Sequence, residues 1–340
     1  MEIRRLKRQE HINTRKLYEE VFPEDSQSFV DYYYTEKTKD NQIYAAEEDG
    51  CIQAMLHLNP YVLMVNGAEK PVDYIVAVAT REKYRRRGLM AELMHTALKD
   101  MYKEGKAFTF LMPAAERIYL PHDFRTVYEQ ERKVSGSEEV ILKEAGKQGM
   151  EAVPAKEEDA FLLARTAQKY LRERYQVYAR RDERYYIRLF KELLSDGGKL
   201  YLFRKDGEIR DYRIFDADYQ EEGQKKPKIM VRIVDVRRML MSVRLKTLTA
   251  ACLTVTDPVI KENNRCLTIT GTEYSGVMLM EGKPENSEGT VTAAALAGFL
   301  FGAYSIEDMC KEEGVRLSGR LKEEMKKMIP LSRIFLNEAV

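Results

Sequence analysis

Residues 84–90 read YRRRGLM, three arginines and a glycine set between the apolar run YIVAVAT and a segment patterned as a helix. A helix N-terminus carries partial positive charge, so a cation in its first turn costs about 0.3–1 kcal/mol. Either Arg85, Arg86 and Arg87 form an exposed cluster on an ordinary turn, or something anionic belongs there. Free backbone N–H groups and the helix dipole suit a phosphate at such a junction. A Walker loop needs GxxxxGK[ST] and a dinucleotide loop needs GxGxxG after a strand, and neither string is present. The residues that are present suit a pyrophosphate held by few glycines and several arginines, with Gly88 letting the backbone approach closely.

The elements around the loop must position it. VDYIVAVAT is apolar on both faces, which predicts a central strand. LMAELMHTALKDMYKEGK then puts Leu89, Leu93, Ala97 and Met101 at steps of four, with Met90, Met94 and Leu98 alongside, one wide apolar helical stripe closed by Lys103 and Gly105. KAFTFLMP is a second buried strand, so the three make a parallel βαβ unit with a right-handed crossover. The arginine loop then lies at the carboxyl end of a central strand, where open α/β sheets bind ligands. Upstream, EIRRL is a strand, and HINTRKLYEEVF and SQSFVDYYYTEKT are helices, the second capped by Asp25 or Ser26. Asp-Gly and Asn-Gly turns join two strand pairs, QIYAAEEDGCIQAMLHL and YVLMVNGAEKPVDYIVAVAT.

A chain of 340 residues exceeds one compact core, so two or three domains are expected. Residues 1–134 form the first. The polar, glycine-containing stretch 135–158 opens a second, over 135–225, with one long helical stretch (DAFLLARTAQKYLRERYQVYARRDERYYIRLFKELL) and two strands joined at Asp206-Gly207. Residues 226–340 form the third, short strands followed by helices. The fold class is α/β, more fully α+β. Its 56 basic and 55 acidic residues leave a net charge of +1, which removes the electrostatic case for a nucleic-acid partner. The charged start, MEIRRLKRQE, lacks an apolar signal core, and AALAGFLFG is shorter than the about 20 residues of a membrane span. A cytoplasmic protein without a membrane partner is expected. Cys51, Cys252, Cys266 and Cys310 show no CxxC spacing, and His11, His57, His95 and His122 show no HExxH spacing, so no metal is expected.

VAVATREKYRRRGLMAELM resembles motif A of the GNAT acyltransferase superfamily. The resemblance implies that Arg85, Arg86, Arg87, Gly88, Leu89 and Met90 hold the pyrophosphate of coenzyme A, and that Val78, Ala79 and Thr80 pair by backbone with its pantetheine arm. Met90 stands where most of the superfamily has glycine or alanine, which is similar to the enhanced-intracellular-survival (Eis-like) branch. LMPAAERIYLPHDF resembles that branch's next segment, with His122-Asp123-Phe124 replacing its Phe-Gly-Tyr or Phe-Gly-Phe ending. VYARRDERYYIRLFKEL resembles its second, degenerate GNAT-like domain, here shortened. KIMVRIVDVRRML and CLTVTD resemble its sterol-carrier-like third domain, and FLNEAV its C-terminal tail. The branch forms hexamers, which makes a homo-oligomer the corresponding expectation.

Acetyl transfer from a thioester to an amine requires that the amine lose a proton, that the oxyanion be stabilised and that the thiolate be protonated. By the resemblance, Tyr119 is the general acid, and a phenol with an ordinary pKa near 10 carries the proton that role needs. The terminal carboxylate of Val340 is the base, acting through water or with a pKa raised by burial from its ordinary value of about 3.3–3.7. Glu24, Asp25 and Glu338 are candidates for the amine site, with Tyr33 on its wall; acids there favour polycationic amines. The second segment has no RRRG-like loop, so one coenzyme A site is expected. The sequence therefore reads as an acetyl-CoA-dependent N-acetyltransferase acting on a primary amine of a small or polycationic acceptor: aminoglycoside-like, polyamine or lysine side chain. The alternative is a non-catalytic acyl-CoA or lipid-binding scaffold.

Overall fold

The computed structural model describes residues 1–131, 133–219 and 226–338. The first unit runs β1 (Glu2–Arg5), α1 (Arg15–Val21), α2 (Gln27–Thr35), β2 (Gln42–Glu48), β3 (Cys51–Val65), β4 (Ala68–Thr80), α3 (Leu89–Lys103), β5 (Phe108–Leu111), a one-turn α4 (Glu116–Tyr119) and β6 (Arg125–Glu129). Ser26 caps α2, its Oγ accepting from the N–H of Phe29 at 3.1 Å. Both expected turns form, Asp49-Gly50 at φ 52° and 72° and Asn66-Gly67 at 50° and 87°, the left-handed pairs that tight hairpins require. The two runs between them, read as separate strands, are one 15-residue strand, β3, with Asn59-Pro60 inside it.

The second unit contains β7 (Val134–Ser135), α5 (Glu138–Lys147), β8 (Glu151–Pro154), α6 (Ala160–Arg174), β9 (Val177–Ala179), α7 (Glu183–Ser195), β10 (Lys199–Lys205) and β11 (Glu208–Phe215). Its sheet has the order β7-β11-β10-β8. Residues 135–158, expected as a polar boundary, are thus structured. Ser137 caps α5, and Ile141 and Ala145 bury one face of it against Tyr201 and Phe203. The single long helical stretch is also split. Val177–Ala179 is drawn into a strand by pairing with β3, and Asp182 restarts the helix by accepting from the N–H of Tyr185 at 3.0 Å. A three-residue run has no periodicity that could separate the two readings.

β12 (Lys228–Ile233), the first strand after residue 226, lies between β5 and β6, antiparallel to both. The main sheet therefore has the order β1-β2-β3-β4-β5-β12-β6, with β9 beside β3 and Ile334–Phe335 beside β9. A separate sheet places Gly276–Glu281, Arg265–Thr272, Thr249–Thr256, Gly289–Thr292 and Arg316–Leu317 in that order. The apolar helix Ala293–Leu300 is buried along its whole length, which accounts for its sequence as core. No helix among the described residues is long and apolar enough to cross a membrane. The result is a mixed α/β protein. α3 covers one face of the main sheet, burying Leu89, Leu93, Met94, Ala97, Leu98 and Met101 there. α1 and α2 cover part of the other face, and the residues after 226 cover the rest of it.

Candidate active site

β4 is paired with β3 along its length, but with β5 only at Tyr74–Phe110 and Ile75–Leu111. From Val76 to Thr80 that edge of β4 has no strand partner among the described residues. The two parallel strands splay apart, and the exposed ladder can pair with an extended ligand as it would with another strand. Opposite, Val76 pairs with His57 and Ala79 with Met55, so Ala77 and Val78 face the single residue Leu56. This is a β-bulge, and Ala77 takes φ 48° in it. Bulges re-aim backbone groups, and the one here falls where the splay begins. VAVAT carries no sequence signal for it.

The loop after β4 resolves the electrostatic misfit. α3 begins at Leu89, so the arginines precede the helix instead of occupying its first turn. Arg86 at φ 61° and Gly88 at φ 83° turn the chain, and no side chain caps α3 at Gly88. The first amides of α3 therefore lack both an intrahelical acceptor and a capping side chain. Arg85 donates from Nε to the Thr80 carbonyl at 3.1 Å, and the Arg87 guanidinium lies 4.9 Å from the centroid of the Tyr84 ring. Tyr84 is itself held by Glu48 at 2.7 Å. Arg85, Arg86 and Arg87 are all exposed, and none of them forms an ion pair among the described residues. Leu89 points into the core and Met90 packs against it, so these two offer a ligand chiefly their backbone.

Tyr119 ends α4 on the α3 face of the sheet. It is buried in the cluster that holds Leu89, Leu93 and Phe124, with Val78 of the splayed strand packed against the same cluster. Its hydroxyl has no hydrogen-bond partner among the described residues, and burial pushes its pKa up, keeping the phenol protonated. Asp123 takes φ 66°, filling the left-handed position where the resembling segment has glycine.

The remaining candidates scatter. Glu24 is exposed at the α1–α2 turn. Asp25 accepts from the Tyr18 hydroxyl at 2.6 Å, and burial raises its pKa. Tyr33 is fully buried, its hydroxyl 2.9 Å from His57 Nδ1, and lies in the core behind the cavity described below. Glu338 is buried far from these two acids in sequence and in partners, 2.9 Å from Arg181 and 3.4 Å from the Tyr185 hydroxyl. Gln130 anchors the tail by donating to the carbonyls of Leu336 and Glu338. Val340 lies outside the described residues.

Sequence reasoning missed a cavity of about 300 Å³ between the first two units. β2 pairs with one edge of β3 as far as Leu58, and β9 takes up that edge from Leu63, leaving Asn59, Pro60 and Tyr61 without a strand beside them. These residues form one wall of the cavity; Lys37, Asp40 and Asn41 after α2 form a second, and α7 supplies Arg188 and Glu192 opposite. Nothing in the separate segments signals a space made by a gap in pairing. Among the described residues no group of three His, Cys, Asp or Glu side chains is arranged to hold a metal.

Residues 2–127 match the family model for the acetyltransferase (GNAT) domain. The chain thus carries an acetyltransferase domain there, and it is an acyltransferase. Solved structures resemble it over its whole length. A probable N-acyltransferase from Enterococcus faecalis V583 is 14% identical with a TM-score of 0.76, covering 100% of this chain and 99% of its own. A GCN5-related N-acetyltransferase from Anabaena variabilis is 12% identical with a TM-score of 0.74, and Eis1 from Mycobacterium abscessus 12% identical with a TM-score of 0.69, each with 100% of both chains covered. At these identities the likeness is one of fold. Comparison with curated protein sequences gave no match.

Proposed function

We propose that the protein is an acetyl-CoA-dependent N-acetyltransferase that passes the acetyl group directly to a primary amine of a small acceptor in a ternary complex. The observation that carries this reading is the unpaired edge of β4 from Val76 to Thr80, joined by the arginine loop to the uncapped start of α3. The backbone of Val78, Ala79 and Thr80 is suited to pair with a pantetheine arm. Gly88 and the amides of Leu89 and Met90 suit the pyrophosphate, with Arg85, Arg86 and Arg87 supplying charge. Holding thioester and amine in line supplies several kcal/mol of the barrier reduction by itself.

The amine nitrogen attacks the thioester carbon, and collapse of the tetrahedral intermediate expels the thiolate. Tyr119 is the residue we assign to protonate that sulfur; its burial and unpaired hydroxyl support the role. The proton lost by the amine goes to the terminal carboxylate of Val340, directly or through water. The buried course of the tail as far as Glu338 supports a docked terminus. The acceptor enters through the cavity between β3 and α7, and a homo-oligomer remains part of this reading. Thiol release from acetyl-CoA with a panel of polyamines, aminoglycosides and lysine peptides tests it. Turnover on one class is expected; tight coenzyme A binding without turnover on any amine would replace the enzyme by a binding scaffold.

A further inference from the structure

Lys37 is buried, with its Nζ 3.3 Å from Glu192 on α7 and 5.9 Å from the centroid of the Tyr61 ring on β3. The Tyr32 hydroxyl reaches the same Glu192 oxygen at 3.4 Å. Lys37, Tyr61 and Glu192 all line the cavity between the first two units. A carboxylate, an aromatic face and a phenol around one point are the groups that recognise an alkylammonium, and here a side chain of the protein itself supplies that ammonium. Tyr61 also leads toward the splay. Its ring lies 6.2 Å from those of Tyr74 and Phe110, which form one of the last two β4–β5 pairs before the strands part. The cavity's other acids are engaged, Asp40 by Arg188 at 2.5 Å and Asp182 by Arg180 at 3.2 Å. Arg184 at the rim has no ion-pair partner among the described residues, so the lining holds no surplus of acid for a polycation.

We propose that Glu192, Tyr61 and Tyr32 form a subsite for a single primary alkylammonium group, which Lys37 fills in this structure and yields to an acceptor carrying one such group on a neutral or anionic body. This rests on the acetyltransferase reading, and it gives the second unit a part in acceptor binding. Exchange of one ammonium for another keeps the buried carboxylate neutralised throughout. Burial already pushes the Glu192 carboxyl above its usual range, so a step that left it bare would be disfavoured.

The test uses n-butylammonium chloride, with sodium chloride at equal ionic strength as control, and thermal unfolding of the full chain. Lys37→Ala empties the subsite, so butylammonium is expected to raise its midpoint saturably by several degrees, to raise that of the wild-type chain less because Lys37 competes, and to leave the neutral double variant Lys37→Ala/Glu192→Gln unmoved. No rise, or an equal rise in the double variant, overturns the proposal. Should Lys37→Ala fail to fold alone, it is prepared with butylammonium present; failure there, while the double variant folds, also overturns it. This readout needs no turnover, so it stands apart from the thiol-release test of the enzyme itself. Within that assay, monoamines should exceed spermidine in kcat/KM, and Glu192→Gln should raise KM at least tenfold with kcat nearly unchanged. A preference for spermidine, or an unchanged KM, counts against the single-ammonium subsite.

Discussion

The Arg85 side chain folds back onto the last residue of β4, its Nε 3.1 Å from the Thr80 carbonyl oxygen. This bond ties the loop to the end of the splayed strand, while Arg87 packs over Tyr84 of the same loop. Arg85 has two tasks under the proposed function, bracing the loop and adding charge, whereas Arg87 leans on Tyr84 and contributes charge alone.

Replacing Arg85 and Arg87 together by alanine is expected to weaken coenzyme A binding about tenfold, because hydrogen bonds to charged groups contribute about 1.5–3 kcal/mol each and exposed ones less. Calorimetric titration at low and at high salt checks it. The loss should shrink as ionic strength rises, since exposed charges are screened; equal affinity in both proteins at low salt would make the arginines surface decoration.

Gly88→Ala isolates the backbone contribution. A Cβ at Gly88 meets nothing within 4 Å, so the cost is the left-handed conformation at φ 83° alone, roughly 1–2 kcal/mol. Chemical denaturation should show that loss, together with weaker coenzyme A binding. An unchanged midpoint would mean that the loop does not keep this conformation.

Tyr119→Phe should lower turnover at least about tenfold with coenzyme A affinity intact, the smaller end of what general acids provide. Because its hydroxyl has no partner, the substitution should leave stability nearly unchanged. Steady-state kinetics beside equilibrium binding separate the two, and unimpaired turnover removes Tyr119 from the mechanism.

Residues added after Val340 should cut turnover severely while the folded stability stays the same. A chain with a C-terminal tag that turns over at the rate of the untagged chain rules out the terminal carboxylate as base.

Burial pushes His57 down to about 3 from its ordinary 6.5. Below pH 6.5 the unfolded chain takes up a proton that the folded chain refuses, so stability present above 6.5 is lost as pH falls from there toward 3. His11, His95 and His122 shift the same way, also through burial. Urea unfolding at pH 7, 6 and 5 should show the decline, and His57→Gln should reduce its slope by about 1.4 kcal/mol per pH unit. An identical slope in the variant would place the effect elsewhere.

Much of the loop and its flanking elements was legible because their signals are local. Alternation, a 3.6-residue stripe, Asp-Gly and Asn-Gly turns and Gly88 each act over a few residues, and β1, α2, β4, α3 and β5 formed where those patterns place them. Tyr119 and Val340 entered only through the family likeness, since no local pattern marks a tyrosine or a terminus as chemical.

Tertiary structure decided the rest, for the reason that pairing energy is non-local. A three-residue run within an apparently continuous helix became β9 because β3 offered an unpaired edge. Lys228–Ile233 left the company of its chain neighbours to fill the place between β5 and β6. The cavity beside Tyr61 lies where β2 stops pairing with β3 before β9 begins, the splay lies where β5 stops pairing with β4, and the bulge at Ala77 sets two residues of β4 against one of β3. Lys37 and Glu192, 155 residues apart, face each other only because α7 packs across that gap. The residue types suited to a phosphate are written in the chain, whereas the cavity proposed for an amine is made by what the sheet leaves unpaired.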